Sequence, residues 1–291
     1  MAEKVKQLVI LSGKGGTGKT VIAASFASLA KNKVMADCDV DAADLHLLLD
    51  PTIKERHPLK SGVSANINKK LCKECGKCII SCRFNAINED FVVDPISCEG
   101  CKICSFICPE NAIDMKENIS GEWFISDTKY GPFVHAKLGI AEENSGKLVT
   151  TVRQKANEIA EKGNYDLIIV DGSPGIGCPV IASLAGADAV LVVTEPTLSG
   201  IHDMERVIGL ARHFGIAVFV VINKYDLNPE MSERIESFCL NKKIPLTGKI
   251  VYDPLITKAL INRQNVIEYS KGGVVNQIRD LWETIFKELE R

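Results

Sequence analysis

The chain has 291 residues, of which 46% are hydrophobic and 25% charged, and a formal net charge of −2. That length can bury a sizeable core and hold one large domain or two smaller ones. The near balance of charge excludes an electrostatic drive toward nucleic acid or an anionic membrane.

The first element is a short apolar run, Leu8–Leu11, followed at once by a glycine loop. It is too short for a signal peptide, and no stretch approaches the length of a membrane span, so a cytoplasmic protein is expected. The loop, Gly13-Lys14-Gly15-Gly16-Thr17-Gly18-Lys19-Thr20, satisfies the full G-x-x-x-x-G-K-[ST] pattern between a strand and a helix over Gly18–Ala30. Glycines turn backbone N–H groups inward on phosphates, and the helix N-terminus adds a favourable dipole. Lys19 is expected to reach the β- and γ-phosphates and the Thr20 hydroxyl to bind Mg²⁺. A second strand, Val34–Ala36, leads into the acidic run Asp37-Cys38-Asp39-Val40-Asp41.

Eleven cysteines are many for a reducing compartment, and eight of them crowd between Cys72 and Cys108. Crowding of that kind points to metal rather than to disulfides. Cys72, Cys75, Cys78 and Cys82 are spaced as Cys98, Cys101, Cys104 and Cys108, and each run is followed by Asn-Ala-Ile. This is the bacterial ferredoxin spacing, present twice, in which the fourth cysteine of a run ligates the other cluster. Two [4Fe–4S] clusters are therefore expected. Cluster I would take Cys72, Cys75, Cys78 and Cys108, and cluster II Cys82, Cys98, Cys101 and Cys104. Four thiolates also suit zinc, but tight triplets with exchanged fourth ligands favour iron. Ile79, Ile80, Phe84, Ile87, Phe106, Ile107 and Ile113 are expected to shield the clusters and to form the core of this segment. The repeat reads as a small pseudo-symmetric α+β domain, residues 66–116, inserted between 1–65 and 117–291.

Beyond it, the aromatic-rich Gly121–Leu138 predicts a β-hairpin, and Glu142–Lys147 a polar loop. Apolar runs at Leu167–Val170, Ala189–Val193 and Ala217–Ile222 alternate with helical patterns at Val152–Lys162, Asp203–Phe214 and Glu230–Asn241. Continuous β-branched runs fit parallel strands covered on both faces, so the fold class is α/β with a doubly wound, mostly parallel sheet. At the C-terminus Val274, Val275, Ile278, Leu281, Trp282, Ile285, Phe286 and Leu289 share one stripe. The opposite face mixes acidic with basic residues, which suits core packing rather than an anionic bilayer.

The lysine pair Lys14 and Lys19 within this loop resembles the deviant phosphate loop of the MinD/ParA/nitrogenase iron protein superfamily. Asp37-Cys38-Asp39 resembles its first switch, and Asp171-Gly172-Ser173-Pro174-Gly175 its second. The resemblance implies a P-loop ATPase that closes as a nucleotide-dependent homodimer, with Lys14 reaching across to the partner's nucleotide. Asp39 is the candidate for orienting the attacking water, with Asp37 and Asp41 as alternatives. Thr20, Asp39 and Asp171 are the candidate Mg²⁺ contacts. Asn223-Lys224-Tyr225-Asp226 matches the guanine-reading N-K-x-D pattern, yet relatives place an adenine-contacting asparagine there, and Lys14 tilts the expectation to ATP. Cys178, just past the second switch, reads as a small buried side chain.

The expected function is a nucleotide-switched protein that passes electrons to an unidentified redox or metallocofactor partner. Two alternatives stand beside it: an ATPase of cluster or metallocofactor assembly, and a positioning or partition ATPase with structural or sensory clusters. No basic patch or membrane helix supports the latter.

Overall fold

The computed structural model describes residues 4–139 and 145–290. Residues 142–144 of the loop read at Glu142–Lys147 lie outside the described residues, and its last three residues open a helix instead. The chain divides into two compact units. One comprises Met1–His57, Trp123–Lys137 and Ser145–Arg291, the other Pro58–Glu122 and Leu138–Asn144.

In chain order the first unit begins with β1 (Lys6–Leu11), α1 (Lys19–Leu29), β2 (Lys33–Asp37) and α2 (His46–Leu49). Strand β3 (Thr52–Ile67) carries the chain into the second unit, which holds α3 (Lys77–Ser81) and α4 (Ile103–Phe106), and β4 (Ile113–Thr128) brings it back. There follow β5 (Gly131–Leu138), α5 (Ser145–Gly163), β6 (Leu167–Asp171), α6 (Cys178–Leu184), β7 (Ala189–Thr194), α7 (Leu198–His213), β8 (Ala217–Asn223) and α8 (Pro229–Asn241). The chain closes with β9 (Leu246–Ile250), α9 (Pro254–Ile261), α10 (Val266–Tyr269) and α11 (Gly273–Leu289).

Nine strands form one sheet in the order β3-β4-β5-β2-β6-β1-β7-β8-β9. The pairs from β5–β2 through β8–β9 run parallel. Every residue of β2, β6 and β7 is buried, and apart from Lys33, Asp37, Asp171 and Thr194 at their ends all are apolar. The expected hairpin forms as β4 and β5 joined through Lys129 and Tyr130, although β4 starts well before Gly121.

Helix α11 buries Val274, Val275, Ile278, Leu281, Trp282, Ile285 and Leu289, and Trp282 packs on Phe26 of α1 with ring centroids 4.9 Å apart. Phe286 departs from the expected stripe and stays 39% exposed. No helix among the described residues is long and apolar enough to cross a membrane.

The second unit has a small core of its own, built on Ala65, Cys78, Ile87, Phe91 and Ile113, with five further cysteines packed against it. The expectation for its apolar residues needs correction. Ile87 and Ile113 are buried and Ile79 packs on them, but Ile80, Phe84 and Phe106 face solvent. Two very short helices supply too little volume to enclose all seven.

Candidate nucleotide site and cysteine centres

Strand β1 ends directly beneath the phosphate loop, and α1 starts at Lys19, so the loop spans a strand end and a helix start. Gly16 and Gly18 adopt left-handed φ of 81° and 91°. At Gly18 a Cβ would also lie 2.4 Å from the Asn223 side-chain nitrogen, so two separate constraints demand glycine there. Gly15 through Thr20 line an open cleft of about 490 Å³, with Asp39 and Asp44 on its far wall. That volume lies within the range of small-molecule sites.

Lys19 is the electrostatic centre. Its ammonium stands 2.7 Å from Asp171 Oδ1 and 3.2 Å from Asp39 Oδ2, and its side chain is 6% exposed. Burial alone would push this lysine down; Asp171 and Asp39 outweigh that and hold it above its ordinary value. Asp37, at the end of β2, accepts the Asp39 backbone N–H at 3.0 Å. Burial, and next the charge of Asp171, raise Asp37 well above the carboxylate range. Burial likewise raises Asp39. The acidic run thus resolves into two inward residues, Asp37 and Asp39, while Asp41 is exposed. Among the described residues Thr17 Oγ1, Asp37 Oδ2 and Asp171 Oδ2 are buried without a protein partner, a polar set suited to phosphate and a hydrated cation.

Lys14 folds back on its own chain, 3.7 Å from Glu195, 3.3 Å from Thr197 Oγ1 and 3.4 Å from Ser199 Oγ. Asn223 is buried behind the loop, donating to the Thr17 carbonyl at 2.8 Å, and is not among the residues lining the cleft. Cys178 is exposed rather than buried, because it opens α6.

In the second unit the eight thiols fall into two groups. Cys72, Cys75, Cys78 and Cys108 line one small cavity, and Cys82, Cys98, Cys101 and Cys104 line another. The backbone repeats with the sequence. Glu74, Gly76 and Asn85 have φ of 54°, 73° and 52°; their counterparts Gly100, Lys102 and Asn111 have 63°, 67° and 49°. Non-glycine residues at positive φ are uncommon, so three matched positions mark one loop design used twice. Ala86 and Ala112, again counterparts, each donate an N–H to a cysteine sulfur, Cys82 and Cys108, at 3.4 Å. Further N–H groups point at Cys72 from Glu74 and at Cys98 from Ala65. Among the described residues no three His, Cys, Asp or Glu side chains converge on a single ion.

Comparison with known proteins decides the family. The sequence profile of the CobQ/CobB/MinD/ParA nucleotide-binding domain matches residues 8–266. The chain belongs to this family. It is 33% identical to an uncharacterised protein of Methanocaldococcus jannaschii over 285 residues, covering 97% of this chain and 96% of that one. It is 25% identical to the septum site-determining protein MinD of Thermotoga maritima, covering 79% of this chain and 67% of the relative. Among solved structures it is similar to Pyrococcus horikoshii MinD complexed with Mg-ADP, with a TM-score of 0.60, 18% identity and coverage of 98% and 97%.

The phosphate loop of this MinD/ParA-type chain has neighbours that no local motif reveals. Gly13 lies against α7, where an added Cβ would approach Asp203 Cβ to 2.2 Å and its backbone carbon to 2.7 Å. Glu195 bridges Lys14 and Lys224, and Lys224 also donates to the Gly16 carbonyl at 3.3 Å. Asp226 accepts the Tyr252 N–H at 2.6 Å. All depend on contacts between residues far apart in sequence.

Proposed function

We propose that this MinD/ParA-type chain binds and hydrolyses ATP and couples its nucleotide state to electron transfer through two [4Fe–4S] clusters in the second unit. The observation that carries this reading is the grouping of the eight thiols. Each cavity takes three cysteines from one run and the fourth from the other, the exchange that two-cluster ferredoxins use. The N–H groups aimed at four of the sulfurs favour the thiolate form and help to tune a bound cluster. When bound, the clusters supply one-electron carriers.

At the phosphate loop, Gly13, Gly15, Gly16, Thr17 and Gly18 shape the cradle, Lys19 would neutralise phosphate charge, and Thr20, Asp39 and Asp171 would hold Mg²⁺. Asp39 also orients the attacking water, since phosphoryl transfer needs positioning and charge neutralisation above all. On nucleotide binding Lys19 would turn from Asp39 and Asp171 to the phosphates, leaving both carboxylates able to hold the cation. Lys14 leaves Glu195 to meet a second copy's nucleotide in a homodimer. ATP is favoured over GTP on the second loop lysine, Lys14, and the aspartate-rich run Asp37–Asp41, both of which follow the MinD/ParA resemblance.

The decisive variant is Lys19→Ala, followed by acceptor reduction under anaerobic conditions. The expected result is full iron content with no nucleotide-dependent electron delivery. Delivery that ignores both ATP and this substitution removes the coupling. A second reading, an ATPase of cluster assembly, draws on the exposure of Cys75 and Cys101. Incubation with a cluster-free acceptor protein separates the two, because a conduit retains its iron and a carrier gives it up.

A further inference from the structure

The internal repeat copies one feature that its own core does not need. Ile80 and Phe106 occupy equivalent positions in the two halves, and they are 86% and 92% exposed. Each follows the third cysteine of its run by two residues and precedes the fourth by two. Each therefore sits on a segment joining a thiol of one four-cysteine cavity to a thiol of the other. Helices α3 and α4, which carry these residues, pack against each other. Ile103, at 42% exposure, lies one turn before Phe106 on α4. Exposed large apolar side chains grouped in this way mark interaction surfaces more often than chance solvent exposure.

The charge carried by the two helices and their ends is basic. Lys77 lies one turn before Ile80, Arg83 just follows α3, and Lys102 lies one turn before Phe106 at the start of α4. All three are exposed, and among the described residues no hydrogen bond or ion pair engages their side chains. Neither helix carries an acidic residue. Acidic residues flank them: Glu110 is paired with Lys73, and Glu74 and Glu99 stand three residues before Lys77 and Lys102 in the loops that lead into the helices.

Resting on the cluster reading above, we infer that the α3–α4 surface docks an electron-transfer protein whose own redox centre is rimmed by acidic residues. The apolar pair supplies the contact that excludes water, and the lysines and the arginine steer the approach. This is the design of small, weak and fast redox encounters, in which electrostatics sets the association rate. A partner seated here meets the segments that bridge both cavities, so either cluster is reached through a few residues of this chain.

The test uses the full protein, purified anaerobically, with a flavodoxin as acidic probe and a basic c-type cytochrome as control. Binding is read by calorimetry and electron transfer by stopped flow. Two double variants are compared with the parent, Ile80→Ser with Phe106→Ser and Lys77→Glu with Lys102→Glu. Both pairs lie on the surface, and iron content is expected to stay at the parental level. The parent is expected to bind the flavodoxin, and each double variant to weaken that binding at least tenfold. Raising salt from about 50 to about 500 mM should weaken the parent and leave the charge-reversed variant little changed. Binding that is equal in parent and variants, or stronger for the basic cytochrome, overturns the proposal. So does sedimentation showing that Ile80 and Phe106 close a dimer of this chain. Loss of iron from the parent itself would instead sink the cluster reading, so the two failures are distinguishable.

Discussion

Lys19 joins two demands that water would otherwise screen. Its ammonium bridges Asp39 and Asp171 while nearly inaccessible, so the charges must balance locally. Its neighbours in the loop differ sharply in what they tolerate. Gly13→Ala drives a Cβ into the Asp203 backbone, whereas Gly15→Ala meets nothing within 4 Å. Gly13→Ala is therefore expected to destabilise the fold by about 1–3 kcal/mol through overpacking. Gly15→Ala should stay within about 0.5 kcal/mol. Urea denaturation of both variants checks this, and equal losses would contradict the packing. The loop glycines, Lys19, Thr20 and Asp171 were legible because a contiguous motif or a strand end announces them. The contacts of Glu195 with Lys14 and Lys224 and of Asp226 with the Tyr252 N–H were not, because each joins residues distant in sequence.

Strand β5 places His135 between Phe133 and Phe124, with ring centroids 4.5 and 4.9 Å away, and its Nε2 meets the Ser126 hydroxyl at 3.0 Å. Burial, with a smaller contribution from His46, lowers its pKa to about 4. Between that value and the ordinary 6.5, the unfolded chain binds a proton that the folded chain refuses. Stability then rises with pH across this window and is lost as pH falls through it, by on the order of 3 kcal/mol in all. His135→Phe keeps the ring stacking and removes the titration. Its urea midpoint should fall less than the parent's between pH 6.5 and pH 4.5; an equal fall would place the acid sensitivity elsewhere. At this scale β1, β2, β6, β7 and β8 were readable because both faces are covered and the sequence has no choice but to be apolar. Strand β3 escaped notice because most of its sixteen residues are exposed or half-exposed and its composition is polar. Strand β9, only five residues with a glycine at its centre, has little pattern to read.

The molecule as a whole combines a nine-stranded nucleotide-binding sheet with a second unit built on an internal repeat. The limits of that unit, Pro58–Glu122 with Leu138–Asn144, are wider than the cysteine segment because long strands extend into it, and no motif marks where a strand passes from one unit to another. The proposed exchange of fourth ligands makes a prediction of its own. Cys82→Ser should remove the same cluster as Cys98→Ser, so the double variant should lose no more iron than either single. Cys82→Ser combined with Cys72→Ser should lose both clusters. Additive loss in the first pair would contradict the exchange. The most direct measurement is the metal content of the anaerobically purified protein. The account predicts about eight iron atoms, with matching acid-labile sulfide, per chain. Zinc in their place, or neither metal, would contradict it.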